Sequence, residues 1–199
     1  MRALITQTNY IPWKGYFDNI AQCDVFVTYD IVQYTRRDWR NRNKIKTPRG
    51  LEWLTIPVDV KGKYDQLINE ARVKHHDWPQ SHWGKIQQSY KDAPHFESHG
   101  LKIKTMYDEV ANMELLTDIN KYFLAELMAM LGITTKVVHA EDFDLKDDPT
   151  ERLVHICEQL GANEYWSGAA AKNYMKEELF AQAGIDLHYF DYSGYEEYP

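Results

Sequence analysis

The order of apolar and polar runs at the start of the chain is the tightest constraint on what it can fold into. Ala3-Leu4-Ile5 reads as a strand, Phe17, Ile20 and Ala21 recur at helical spacing, and Val25-Phe26-Val27-Thr28-Tyr29 returns to β-branched and aromatic residues. Two strands with a helix between them are the unit of a parallel sheet, because parallel neighbours need a long crossover. The alternation resumes after Gly132, with a strand over 134–139, a helix over 149–160 closed by Gly161, and a strand over 164–167. A helix over 170–183 closed by Gly184 and a strand over 185–191 follow. The expected fold is α/β, a Rossmann-like parallel sheet with helical crossovers.

Between these two runs the pattern changes. Leu51–Val58 is apolar enough for a strand, a short strand is expected near Ile68–Val73, and helices are expected over 79–91, 98–110 and 115–131. A chain of 199 residues suits one well-packed domain and is short for two large cores. A single α/β domain is therefore expected over 1–199. Residues 1–58 would form a loop-rich half-site, 79–131 a mostly helical insertion or cap, and 133–191 a βαβαβ part.

The turn between the first strand and its helix, Thr6-Gln7-Thr8-Asn9-Tyr10-Ile11-Pro12-Trp13-Lys14-Gly15, mixes amides, aromatics and a lysine in a way that core packing does not require. In open parallel sheets the crevice at the carboxyl ends of the strands binds ligands, and a helix starting there offers N–H groups to an anion. Gly15 is the only glycine in the first 49 residues, so no glycine-rich phosphate loop is present and side chains must do the gripping. Gln7, Asn9, Tyr10, Trp13 and Lys14 are candidates for holding phosphate, ribose or a carboxamide, and Lys14 also for catalysis. Asp30, Gln33 and Tyr34 follow the second strand, where Asp30 can bind a hydroxyl or act as a base. Ser167 and Gly168, at another strand-to-helix turn, can present N–H groups to a phosphate or oxyanion. His82, four residues after Trp78 near the start of a helix, is a further candidate base.

Charge adds a second signal. The net charge of −7 argues against general nucleic-acid binding. Yet Arg36, Arg37, Arg40, Arg42, Lys44, Lys46 and Arg49 stand together against one acid, Asp38, with Trp39, Asn41 and Asn43 interleaved. Arginine forks suit bidentate binding of phosphate or carboxylate, and tryptophan suits stacking on a base or sugar. Arg37, Trp39, Arg42, Asn43 and Lys46 are therefore candidate ligand residues, and folded over the earlier loops they would complete an anion pocket.

Other chemistries lack their residues. There is no H-E-x-x-H, C-x-x-C, Walker or G-x-S-x-G pattern, and His75-His76-Asp77 are too close in sequence to ligate one metal, so no metal is expected. Cys23 and Cys157 read as buried small hydrophobes. No run approaches the roughly 20 apolar residues of a membrane span, and a cytoplasmic location is expected.

The motif Gln7-x-Asn9-Tyr10-x-Pro12-Trp13-x-Gly15-Tyr16-Phe17 is followed by Asp24-Val25-Phe26-Val27, Asp30 and Val32-Gln33-Tyr34. Then come Arg37-x-Trp39-x-Asn41-Arg42-Asn43-x-Ile45-Lys46 and Trp53-Leu54-Thr55-Ile56-Pro57-Val58. Together these resemble the WbqC family of bacterial proteins. The resemblance implies an association with O-antigen and other surface-polysaccharide genes, and hence work on nucleotide-linked sugars. The resemblance says little about the reaction; with the candidate anion, stacking and base residues above, the expected activity is a transferase that modifies a nucleotide-linked amino sugar, with N-acyl or aminoacyl (glycyl, for example) transfer to the sugar amine from a separate donor. This chain has Thr6 and Thr8 where the family pattern reads histidine and proline. The strand-one turn is also similar to that of the HIGH-motif nucleotidylyltransferases, with Trp13-Lys14-Gly15-Tyr16 in the second half of that motif and both of its histidines missing. Two alternatives stand beside the transferase: an adenylate-forming enzyme using ATP with magnesium, and a noncatalytic sugar-nucleotide binder.

Overall fold

Ala3, Leu4 and Ile5 lie at the centre of β1 (Arg2–Thr6) and are buried, as their apolar run requires. The computed structural model describes residues 1–196. After β1 come α1 (Lys14–Ala21), β2 (Val25–Thr28), β3 (Arg42–Thr47), β4 (Gly50–Thr55), α2 (Trp78–Tyr90), α3 (Phe96–Glu109) and α4 (Leu116–Leu131). The chain continues through β5 (Lys136–His139), α5 (Pro149–Leu160), β6 (Glu164–Ser167), α6 (Glu177–Gln182) and β7 (Asp186–Tyr189). These elements divide between two compact units, the first made of Met1–Gln7, Trp13–Ile31 and Leu131 onward, the second of Thr8–Pro12 and Val32–Met130.

The first unit is the expected Rossmann-like α/β fold. Its sheet has the order β5-β2-β1-β6-β7, and every neighbouring pair is parallel. Leu4 stands at the centre of the register, opposite Phe26 on one side and Trp166 on the other. The chain lays strands outward from β1 through β2 to β5, then returns to place β6 and β7 on the far side. The direction of winding therefore reverses between β1 and β6. Helix α5 forms where caps and stops specify it: the Asp148 carboxylate accepts from the N–H groups of Thr150 (2.9 Å) and Glu151 (3.1 Å), Pro149 opens the first turn, and Gly161 ends it at φ 70°. Cys23 and Cys157 are both buried free thiols, and burial pushes each up to about 12, which keeps them protonated and unreactive.

One expected helix divides. Over 170–183 the chain instead forms a 3₁₀ turn, Ala169–Asn173, and then the short α6. Tyr174 (φ −137°) and Lys176 (ψ 84°) leave the helical region between them. The Lys176 ammonium there donates to Asp148 at 2.5 Å, so this link makes a tertiary contact with the cap of α5 instead of continuing the helix.

In the second unit the three expected helices appear as α2, α3 and α4, around a core that includes Tyr10, Leu54, Ile56, Met106, Tyr107 and Phe123. The basic segment is only partly a loop, because Arg42–Thr47 pairs antiparallel with β4 as a two-stranded sheet. Period-two alternation explains this: Lys44 and Lys46 point outward, while Asn43, Ile45 and Thr47 are partly buried on the other side. The turn is fixed by Thr47, whose hydroxyl accepts from Arg49 N–H (3.1 Å) and donates to Gly50 O (2.8 Å), and by Gly50 at φ 110°. The strand expected over 51–58 stops at Thr55, before Pro57, which has no N–H to donate to a ladder. The one expected near 68–73 is a 3₁₀ turn, Ile68–Glu70, followed by the isolated bridges Arg72↔Leu115 and Val58↔Val73.

Candidate functional site

Because the five strands of the first unit run parallel, all their carboxyl ends fall on one edge. Gln7 follows β1, Asp30 follows β2, His139 ends β5, and Ser167-Gly168 end and follow β6. The reversal of winding lies between β1 and β6, the place where open α/β sheets bind ligands. Thr28 Oγ1 lies 2.9 Å from His139 Nδ1; Thr28 is fully buried while the His139 ring is half-buried. Asp30 is itself fully buried. The Tyr165 hydroxyl donates to Ser167 Oγ at 3.4 Å, and the Tyr16 hydroxyl donates to Gln7 O at 2.8 Å.

The start of α1 belongs to the same unit. Trp13 precedes the helix without capping it through a side-chain bond. Its indole lies so close over Gly15 that a Cβ there would fall 2.2–2.6 Å from three ring atoms, which explains the Trp-x-Gly spacing. The ring stands edge-on to Tyr192 (5.3 Å between centroids) and Tyr195 (5.5 Å). Asn19 donates to the Tyr192 hydroxyl at 3.0 Å, the Tyr195 hydroxyl donates to Asp18, and Lys14 donates to Glu196 O. Trp13 and Lys14, expected as ligand groups, are therefore held by residues 192–196, and Trp13 keeps 41% of its surface exposed.

The other expected residues lie in the second unit, and several fasten its own backbone. Asn9 accepts from Arg40, Tyr10 N–H donates to Trp39 O at 3.0 Å, and Asn43 donates to the carbonyls of Tyr10 and Ile11. Asn120 adds bonds to Thr8 Oγ1 (3.2 Å) and Arg40 O (2.9 Å). Gln33 donates to Tyr64 O at 2.9 Å. Tyr34 is buried, and burial, with Asp38 adding to it, pushes its hydroxyl up to about 12.

His82 and Tyr10 sit in the core of this unit. The Tyr10 hydroxyl lies 2.9 Å from His82 Nδ1 and 2.6 Å from the Tyr107 hydroxyl, among Trp78 and Phe123. Burial drives the His82 pKa down to about 4, against a smaller opposing effect from its bond to the Thr55 backbone. Burial likewise raises both tyrosines well above their ordinary value. At 4% exposure His82 is a neutral core histidine in a closed aromatic network.

What the second unit presents outward is the hairpin face. The Arg42 guanidinium stands 4.1 Å from the Trp53 ring centre and Lys44 Nζ 4.8 Å, with Trp39 tilted against Trp53 at 5.5 Å. Both indoles are exposed, Trp39 by 48% and Trp53 by 37%. Arg42 also donates to Arg37 O, in a turn where Arg37 adopts φ 60°. The carboxylate in the turn, Asp38, is raised by burial but lowered further, on balance, by the Thr35 hydroxyl, the Trp39 N–H and the nearby Arg40 and Arg42. It stays ionised and spends its charge on that turn. Arg37, Trp39, Arg42 and Lys46 are thus brought together with Lys44 and Trp53 on or beside one hairpin, a surface of cations and indoles.

Gln7, Trp13, Lys14, Asp30, Ser167 and Gly168 belong to the first unit, and Asn9, Tyr10, Gln33, Tyr34, Arg37, Trp39, Arg42, Asn43, Lys46 and His82 to the second. Two residues of interest escaped sequence reasoning. Trp53 is legible only once its strand is known to pair with Lys44. The signal for His139 was its place at the end of a strand, which sets a titratable ring on the sheet edge. Among the described residues no group of three or more His, Cys, Asp or Glu is placed to hold a metal, and no helix is long and apolar enough to cross a membrane.

Residues 7–199 match the WbqC-like protein family. A Mycobacterium tuberculosis (strain ATCC 25618 / H37Rv) protein, described as uncharacterized protein Rv1507c, is 43% identical over 199 residues, covering 99% of this chain and 85% of the relative. No solved structure matches the chain. The chain belongs to the WbqC-like protein family.

Proposed function

We propose that the protein is a transferase acting on a nucleotide-linked amino sugar, moving an acyl or aminoacyl group onto the sugar amine. The observation that carries this reading is the hairpin face, where Arg42 and Lys44 flank Trp53 at 4.1 and 4.8 Å with Trp39 alongside. A nucleotide sugar combines a diphosphate with flat or weakly apolar ring faces. Guanidinium and ammonium groups neutralise the first, and indoles stack on the second. The family resemblance supplies the sugar-nucleotide context.

Transfer to an amine needs three further things. The ammonium must lose a proton before its lone pair can attack, the donor carbonyl must be held near it, and the developing oxyanion must meet N–H donors. The first unit carries groups of the kind that take a proton on the edge of its own sheet, the half-buried imidazole of His139 that ends β5 and the fully buried Asp30 carboxylate. On the same edge, Ser167 and Gly168 stand at a strand-to-helix turn, the kind of turn that can present N–H groups to an oxyanion. As the C–N bond forms, the bond from the acyl carbon to the donor's leaving group breaks; the ammonium's first proton passes to solvent and its second to the leaving group, giving the N-acylated sugar and the deacylated donor.

The reading is tested by calorimetry with a panel of UDP- and dTDP-linked amino sugars, followed by mass spectrometry after adding acyl and aminoacyl donors. Arg42→Ala and Trp53→Ala should each weaken nucleotide-sugar binding by about tenfold or more, one strong contact's share, with unchanged circular dichroism. Unchanged affinity in both variants sinks the hairpin as the binding face. Stabilisation by ATP with magnesium and by no nucleotide sugar would replace the transferase with an adenylate-forming enzyme.

A further inference from the structure

The second unit also contains an apolar cavity of about 370 Å³. Its floor is made by Ile86, Met106 and Phe123, all buried core residues, and its walls by the partly buried Ile11, Ile45 and Leu127. The open side is formed by the link between α2 and α3 and the first turn of α3, where Ala93, His95 and His99 are exposed. The two imidazoles stand 6.3 Å apart at that rim.

Several features keep this hollow open. The Phe96 ring packs onto Gly100, where a Cβ would come within 3.1 Å of it, so a side chain there would displace Phe96. Ile11 adopts φ 43°, a conformation that costs a β-branched residue energy and persists because Asn43 holds the carbonyls of Tyr10 and Ile11. The Tyr90 hydroxyl, on the wall, already accepts from Lys46 N–H at 3.0 Å. Apart from the Tyr90 hydroxyl, the polar groups of the lining side chains are the imidazoles of His95 and His99 at the rim. An apolar hollow of this kind holds water poorly and favours an apolar guest, which restores the contacts its lining lacks.

The shape of the lining defines the guest. At roughly 30 Å³ for each methylene- or water-sized unit, the volume holds about a dozen such units. Walls that are apolar but for one tyrosine hydroxyl, with two imidazoles at the open side, fit an unbranched hydrocarbon whose one polar end stays at the rim. We infer that the cavity holds the saturated acyl chain of a fatty carboxylate or its thioester, about eight to ten carbons long, with its carbonyl end at His95 and His99. That this chain is the group transferred rests on the function proposed above; the site itself does not.

The test is calorimetry on the full chain with straight-chain carboxylates from butyrate to tetradecanoate, each below its micellar concentration. Affinity should rise about fourfold for each added methylene, the equivalent of its hydrophobic transfer energy, and level off near ten carbons. Ala93→Trp, an exposed rim position, should reduce decanoate binding at least tenfold without lowering the melting temperature. Leu127→Phe should shift the plateau to shorter chains, and His95→Ala with His99→Ala should weaken decanoate while leaving decanol unchanged. An affinity independent of chain length, no binding at millimolar decanoate, or full binding by Ala93→Trp overturns the site. Self-association that Ala93→Trp abolishes, without decanoate uptake, also overturns it by making this a face between two copies. Decanoate binding without acylation of any nucleotide sugar by a decanoyl thioester leaves the site standing and removes the transfer reading. Acetyl or glycyl transfer without decanoate binding does the reverse.

Discussion

The two units each place a histidine beside a hydroxyl, and they use it in opposite ways. In the first, His139 ends a strand of a parallel sheet, 2.9 Å from Thr28 Oγ1, with its ring half-open to solvent. In the second, His82 lies inside a cluster of tyrosines, a tryptophan and a phenylalanine, 2.9 Å from the Tyr10 hydroxyl and almost wholly buried. Topology puts the first where ligands meet parallel sheets. Packing puts the second where burial disfavours a charge. The contrast teaches that histidine chemistry here is set by which part of an element carries the ring, its edge or its packed face.

Acid should act most strongly on the buried ring, His82. The His82 pKa is about 4 in the folded chain and near 6.5 unfolded, so between these values the unfolded state binds the extra proton. The stability from a neutral His82 is thus complete above pH 6.5 and is lost as pH falls toward 4, by about 3 kcal/mol in all. Urea titrations at pH 7 and 4.5 should show that loss in the natural chain and a smaller one in His82→Gln. His139→Gln should lower the transfer activity proposed above, read by mass spectrometry of the acylated sugar. Equal slopes in the natural chain and His82→Gln would break the comparison.

A smaller effect probes the network around His82. Tyr10→Phe strips a hydroxyl that lies 2.6 Å from the Tyr107 hydroxyl and 2.9 Å from His82, leaving both buried groups short of a partner. The expected cost is about 1–3 kcal/mol by denaturation at pH 7. Tyr107→Phe should cost a similar amount, and the double variant less than the sum, since the two share one bond. Additive losses would mean that the hydroxyls act separately.

These differences also decide what could be read from the sequence. The sheet of the first unit was legible because its signals are local: apolar strand runs, the Asp148-Pro149 cap, and Gly161 as a stop. The place of Gln7, Ser167 and Gly168 on one edge follows from the parallel run of the strands, which the alternation of strands and helices announces. The second unit was less legible because its determinants are long-range. The Arg42–Thr47 strand needs Leu51 to Thr55 as its partner before its alternation means anything, and a run of cations hides a strand well. His82 looked like a free base because only Tyr10, 72 positions away, shows that it is buried and bonded. The division of 170–183 depended on Lys176 reaching Asp148, again a contact that no local window contains.

The smallest expected effect sharpens the comparison within the first unit, between two glycines at strand-to-helix turns. Gly168 has φ −68°, and a Cβ there would meet only the Tyr192 hydroxyl, at an ordinary 3.6 Å. Gly168→Ala keeps its N–H and should change stability by less than about 0.5 kcal/mol. Gly15→Ala instead drives a methyl into the Trp13 ring at 2.2–2.6 Å, so the indole must swing away. With 41% of its surface already exposed it has room to do so. Two edge-to-face contacts with Tyr192 and Tyr195 are then lost, each worth about 0.5–1.5 kcal/mol, while replacing glycine in a helix returns about 0.5–1 kcal/mol. The net cost is about 1 kcal/mol, small enough that stability is the weaker readout. Hydrogen exchange is the stronger one: amides of 192–196 should exchange faster in Gly15→Ala and at the natural rate in Gly168→Ala, because only the first variant displaces the ring on which those tyrosines rest. Equal exchange in both would show that the tail is held by Asp18, Asn19 and Lys14 rather than by the indole.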